Sequence, residues 1–256
     1  ELGNNRVGVS MQHVGREPRF YASVAYNGST WYLLNEPNDA NKDKQIFYYR
    51  GGGNGYTNTM FWLRTGIGVM KFVHPDDTNR DEKEEYIRKK AEPAIRYAEI
   101  LLIYAEALNE LTGNYNIASW DEETQYTIQR NIDEMKKGIQ PIRIRAGIPD
   151  YTRSEYEDQD LFREKLKRER QIELMGEGHR YYDIRRWKDA EVEESLPIYG
   201  CNTLMTEKWR DVFHVPVAIP SLPTNFSRKM YFWPISHSEL KRNKMLTQNP
   251  GWTYND

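Results

Sequence analysis

The stretch LFREKLKRERQIELMGEGHRYYDIRRW, residues 161–187, decides how the rest of the chain is read. Taken as a helix at about 100° per residue, it gathers Leu161, Phe162, Leu166, Ile172 and Met175 onto one broad arc. Glu169 and Glu173 fall inside that arc, where a solvated helix would keep its carboxylates out. An isolated buried carboxylate is too costly to keep, so both must be paired or hydrogen-bonded. The nearby sequence offers Arg168, Arg170, Arg180, Arg185 and Arg186 as partners. Gly176 and Gly178 then break the helix, and Tyr181, Tyr182, Ile184 and Trp187 continue as a second, short and aromatic one. A structural ion-pair network explains the pattern better than a catalytic centre.

Upstream, residues 93–111 predict a helix with Pro93 in its first turn. Apolar residues surround it almost completely, leaving Arg96, Glu99, Glu106 and Glu110 as a narrow polar wedge, so it is expected to pack between other helices. Glu106 is expected to face the arginines of 180–186. The run LNELTGNYNIAS then has the spacing of a tetratricopeptide helix-pair turn. A further helix over 124–137, ended by Pro141, is predicted before the polar connection 150–160. Residues 190–230 are rich in proline and read as irregular, and 230–243 as a strand, a proline turn and a short helix capped at Ser236 or Ser238. Trp252 is expected to tuck onto the body.

These motifs together resemble the signature of the SusD/RagB family of outer-membrane nutrient-binding proteins. Arg170, Glu173, Glu177, Gly178, Arg180, Asp183, Arg186 and Trp187 occupy the matching positions. PAIRYAEILLIYAEALNE at 93–110, and YFWPISHSELKRN followed by QNPGW within 231–252, fit the same family in the same order. The resemblance implies a mainly helical fold, a tetratricopeptide-like scaffold with irregular loops and short strands. It implies a longer, secreted lipoprotein of the outer membrane's extracellular face, of which this is the C-terminal portion, with its lipid anchor on the N-terminal part. It also implies a glycan ligand and a SusC-like outer-membrane transporter as partner, with oligopeptide cargo or a purely structural lid as alternatives. On this reading Glu106, Glu169, Arg170, Glu173, Arg180, Asp183 and Arg186 form the joint that holds the helices together.

Composition sets bounds on chemistry. The 256 residues carry a net charge of −2, which gives no broad pull toward nucleic acid. No run reaches the roughly 18–20 apolar residues of a membrane span. The single cysteine, Cys201, excludes an internal disulfide and cannot be the family's lipidated anchor. The five histidines show no metal-ligand spacing, and no nucleophile, dinucleotide or metalloprotease motif is present, so neither cofactor nor metal nor catalysis is expected.

Residues 1–92 read as the ligand face, 93–189 as the helical scaffold and 190–256 as an irregular region closing on it. RFYASVAY (19–26) is expected to be a strand turning at Asn27-Gly28 into a return at Trp31 and Tyr32. QIFYYR (45–50) and VMKFVHP (69–75) read as further strands around the glycine cluster 51–55. That cluster lacks a phosphate loop's Gly-Lys-Ser/Thr ending and reads as a flexible connection. Tyr and Trp number 18 and 7, and many lie here, interleaved with Asn. Sugars present C–H faces to aromatic rings and hydroxyls to amides, so Trp31, Tyr32, Tyr48, Tyr49, Trp62 and Asn54 are the candidate ligand residues.

Overall fold

The computed structural model describes residues 10–31, 44–79, 85–91, 93–206, 210–222 and 224–253. Tyr32 lies outside them. A short helix α1 (Pro18–Ser23), started by proline, runs into strand β1 (Val24–Tyr26). Residues 19–26 are therefore mostly helix, not strand. Asn27-Gly28 makes a turn, but β1 does not pair with β2 (Thr30–Trp31) that follows it. Instead β2 pairs with β3 (Lys44–Gln45), and β1 with β4 (Ile67–Val69), both antiparallel. The turn serves two ladders at once: Gly28 N–H donates to the Ile46 carbonyl and Ser29 N–H to the Tyr26 carbonyl. The expected strands at 45–50 and 69–75 shrink accordingly. Beyond Gln45 the chain stays extended with its backbone held by Asn27 and Met205. A last small ladder joins β5 (Thr78–Asn79) to β6 (Glu85–Tyr86).

Helix α2 (Tyr97–Asn109) starts four residues later than expected, because Arg96 is extended and serves as its N-cap position. It buries Ala98, Leu102, Ala105 and Leu108, but Tyr97, Ile100, Ile103 and Tyr104 remain exposed. Neighbours cover one side only, which corrects the expectation of a helix enclosed all round. The chain then leaves as a hairpin, β7 (Tyr115–Ala118) against β8 (Gln125–Ile128), where a helix-pair turn and the start of a helix at 124 were expected. Tyr, Ile and Thr at these positions favour a pleated ribbon, and Trp120 stands at its tip, 95% exposed.

Helix α3 (Ile132–Arg145) begins where Asn131 accepts from the Glu134 amide, 3.1 Å away. It passes through Pro141, which was expected to end it. An internal proline costs about 3 kcal/mol; here its ring points outward, while Met135, Ile139 and Ile142 bury on the other face and offset that cost. Gly138 meets Leu101 and Ala105, and Glu134 accepts from the Tyr104 hydroxyl at 2.7 Å, so α3 runs antiparallel to α2. This is the tetratricopeptide-like pair.

Helix α4 (Arg153–Glu157), with a Thr152–Glu155 capping box, leads to α5 (Gln159–Glu173), capped by Asp158. Gln159 and Arg163 reach Asn109 and Glu110 at the end of α2, whereas Glu173 reaches Arg96 at its start, so α5 is also antiparallel to α2. Between the three helices lies the main core: Leu102, Ala105, Met135, Ile139, Phe162 and Leu166, with Tyr156 of α4 stacked on Phe162. Gly176 and Gly178, with φ of 78° and 83°, turn the chain into α6 (His179–Arg186), as the sequence predicts. Leu161, however, faces solvent rather than the core.

The region from 190 holds α7 (Ala190–Glu193), β9 (Tyr199–Gly200) paired with β10 (Val217–Ala218), and between these strands α8 (Arg210–Phe213). Cys201 and Phe213 close a second core over Ala25, Ile46, Tyr48 and Tyr49. Residues 228–231 form a 3-10 turn, not a strand, and α9 (His237–Arg242) is capped by Ser236. Trp252 donates its indole N–H to the Lys229 and Phe232 carbonyls, both at 3.0 Å, which fixes it on the body. Among the described residues no helix is long and apolar enough to cross a membrane.

Candidate functional site

Two groupings of polar and aromatic side chains stand out, and they do different things. The first is the ion-pair joint. Glu169, 2% exposed, accepts from Arg19 at 2.7 Å, from Arg143 at 2.7 Å and from the Tyr151 hydroxyl at 3.2 Å. Glu173 accepts from Arg19 (3.1 Å) and Arg96 (3.0 Å) and pairs with Arg145 (2.6 Å). The burial expected of both carboxylates is present, but none of the partners expected for them is. Arg168 bonds Gln171, Arg185 pairs with Glu194 and Arg180 with Glu193 at the exposed edge. The true partners come from α1, α3 and the N-cap of α2.

A second layer lies beside the first. Arg170 and Asp183 form a buried bidentate pair at 2.9 and 3.1 Å, which is the geometry a planar guanidinium favours. Arg186 bridges Asp183 (2.9 Å) to Glu106 (2.7 Å), and the Trp187 indole also donates to Glu106 at 2.8 Å. Glu106 therefore faces Arg186 as expected. Glu177 holds Arg96 and Lys71, and the Lys71 ammonium also caps the end of α5 through the Glu173 and Met175 carbonyls.

Burial alone would push the Glu173 carboxyl up; hydrogen bonds from Arg145, Arg96 and Arg19 outweigh it and hold the group below the usual carboxylate range. Glu177 behaves alike, burial being outweighed by Arg96 and Lys71. Burial, helped by the Glu169 charge, pushes the Tyr151 hydroxyl up, so it stays a donor. Every oxygen of Glu169 and Glu173 is occupied by a cation of the protein itself. Such a cluster can lock helices; it leaves no carboxylate free to act as acid or base.

The second grouping is the loop 50–64. Tyr56 and Trp62 meet edge to face with ring centroids 5.5 Å apart, and the Arg50 guanidinium lies over Tyr56 at 5.4 Å. Phe61 and Met60 beside them are exposed. Asn58 accepts from the Met60 and Phe61 amides at 2.8 and 3.1 Å, which sets the turn that presents these rings.

The structure divides the candidate ligand residues. Tyr48 and Tyr49, each 8% exposed, belong to the second core; period-2 alternation could not reveal this, because Phe213 arrives from far along the chain. Trp31 is half-buried against the same core. Asn54 is exposed but fastens the loop, its amide donating to the Phe47 carbonyl and its side chain accepting from the Phe47 amide. Of the five that lie among the described residues, only Trp62 forms a partly exposed ring pair on this loop, with Tyr56. Sequence reasoning missed Arg50 and Arg64. The available signal was charge: between residues 44 and 75 the chain has Lys44, Arg50, Arg64 and Lys71 and no Asp or Glu.

Comparison with known proteins agrees with this architecture. The family model of the SusD family matches residues 3–252. A curated relative, "SusD-like protein P2" of Formosa agariphila, is 31% identical over 162 residues, which is 62% of this chain and 25% of that protein. The solved structure of selenomethionine BT4246 superposes with a TM-score of 0.80 at 24% identity over 97% of this chain and 40% of that one. A SusD-like protein (BF3747) from Bacteroides fragilis gives 0.66 at 25% identity, covering 94% of this chain and 40% of its own. The chain thus spans two fifths or less of the relatives it matches. With the arginine–glutamate joint, the helix pair and the C-terminal motif all in place, the chain belongs to the SusD family.

Proposed function

We propose that this chain is part of a cell-surface glycan-binding protein that captures oligosaccharides without altering them and passes them to a partner TonB-dependent, SusC-like transporter in the outer membrane. Residues 1–92 carry the ligand face, 93–189 form the scaffold and 190–256 close on it. The observation that carries this reading is the Tyr56–Trp62 pair on the 50–64 loop. A pyranose is flat and weakly apolar on one face, and an aromatic ring offers it dispersion contact without needing to bury a charge. Binding on such a loop leaves the ion-pair joint intact, so capture and structural integrity are separable. Family membership supports the reading; the fully occupied carboxylates of the joint support a non-catalytic role.

The test is calorimetric titration of the purified protein with neutral and charged oligosaccharides and with peptides, beside Trp62→Ala. Binding to a glycan that Trp62→Ala weakens at least tenfold, at unchanged melting temperature, is the expected result. Binding that survives the substitution would move the site away from this loop. Binding of peptides alone would replace glycan by peptide cargo.

A further inference from the structure

Arg16, Arg130, Arg168 and Arg228 have no ion pair among the described residues, but most other arginines outside the aromatic loop meet carboxylates: Arg19, Arg143, Arg145, Arg170 and Arg186 each pair with Glu or Asp. The two on the aromatic loop do not. Arg50 is exposed, and its guanidinium makes no hydrogen bond among the described residues, only the approach to the Tyr56 ring. Arg64, two residues past Trp62, donates one N–H to the Ser221 carbonyl over a long 3.4 Å and has no ion pair among the described residues. A guanidinium has five N–H donors in a planar fork. Between them the two side chains therefore keep almost all of their donors free. Lys71, the other cation that follows the loop closely, is already neutralised by Glu177.

The bare guanidiniums could serve only to brace the ring pair. An exposed cation–π contact is weak; it could account for Arg50 but not for Arg64, which has no ring contact among the described residues. The absence of Asp and Glu from residues 44–75 points the same way for both, since in a chain of net charge −2 a ligand surface for neutral sugars needs no such exclusion. A planar fork matches a carboxylate or sulfate group, and a stretch without acids does not repel one.

We propose that the glycan captured at the Tyr56–Trp62 loop is anionic, carrying uronate carboxylates or sulfate esters that Arg50 and Arg64 recognise while the rings take the sugar faces. This rests on the reading of that loop as the ligand surface. Ring contact supplies affinity for any pyranose, and the two arginines supply selectivity for charge. Binding therefore weakens with ionic strength, as screening of partly exposed charges requires.

Affinity electrophoresis and calorimetry with matched polymers test this: polygalacturonate against its methyl ester, and dextran sulfate against dextran, the first pair probing carboxylate and the second sulfate. The expected result is at least tenfold tighter binding of one or both charged members, lost in Arg50→Gln/Arg64→Gln and retained in Arg50→Lys, with melting temperature unchanged. Weakening between 50 and 500 mM salt should accompany it. A neutral member bound as tightly as its charged partner, or selectivity that survives Arg50→Gln/Arg64→Gln, overturns the anionic assignment and leaves glycan capture standing. No binding to any of the four polymers overturns the assignment, and capture itself then stands or falls by the broader oligosaccharide titration.

Discussion

At Glu173, desolvation and charge pairing oppose each other, and the pairing wins only because several cations share the work. They do not share it equally. Arg145 is close, but its side chain is 56% exposed, whereas that of Arg19 is 13% exposed. Water can replace an exposed partner, so Arg145→Ala should cost about 1 kcal/mol or less. Arg19→Ala leaves both Glu169 and Glu173 short of a buried cation and should cost about 3–5 kcal/mol, lowering the melting temperature by on the order of 10 °C. Equal melting temperatures for the two variants would refute this ranking. The burial of the two carboxylates was legible in the sequence, because helical periodicity reports which face a residue takes. Their partners were not, because Arg143 and Arg19 lie 26 and 150 residues away and periodicity carries no information across that distance.

Elements differ in how firmly the molecule depends on them. Helices α2 and α3 approach so closely that a Cβ on Gly138 would lie 2.5 Å from the Leu101 carbonyl oxygen and 2.9 Å from the Ala105 side chain. Helix propensity alone favours alanine by about 1 kcal/mol. Here overpacking outweighs it, and Gly138→Ala should destabilise by roughly 1–3 kcal/mol in chemical denaturation. A gain in stability would mean the helices separate easily. The β7–β8 hairpin is the opposite case. All of β7 is exposed, so replacing residues 115–128 by a short Gly-Asn linker should change stability by only about 0.5 kcal/mol. The long helices were readable from their apolar faces and caps. The hairpin was hidden because Gly113 before it, with Tyr115 and Ala118, also suits a helix-pair turn, and α3 ran past Pro141 because tertiary burial outweighed a local rule.

For the whole molecule, acid is the condition that exposes these dependences. Burial, with the nearby His214 and Arg16 charges, holds the His13 imidazole down at about 4. The unfolded chain takes up that proton near its ordinary value of about 6.5, so the stability His13 contributes is complete above about 6.5 and is lost as pH falls toward 4. Glu173 and Glu177, held low, add a second loss below the ordinary carboxylate range. Scanning calorimetry should show the melting temperature falling from pH 7 to pH 5, with a shallower fall in His13→Phe, whose ring can still pack against Tyr26. An unchanged slope would locate the acid sensitivity elsewhere.

The reach of Arg19 also fixes an order of assembly. Besides the neighbouring Glu17, its carboxylate acceptors lie 150 and 154 residues further along, so during synthesis this guanidinium is present long before Glu169 or Glu173 exists. Until α5 arrives, α1 can reach its neighbouring strands, through Phe20 on Tyr26 and the Met70 amide on the Ser23 carbonyl, but its ion-pair docking onto the helical scaffold must wait.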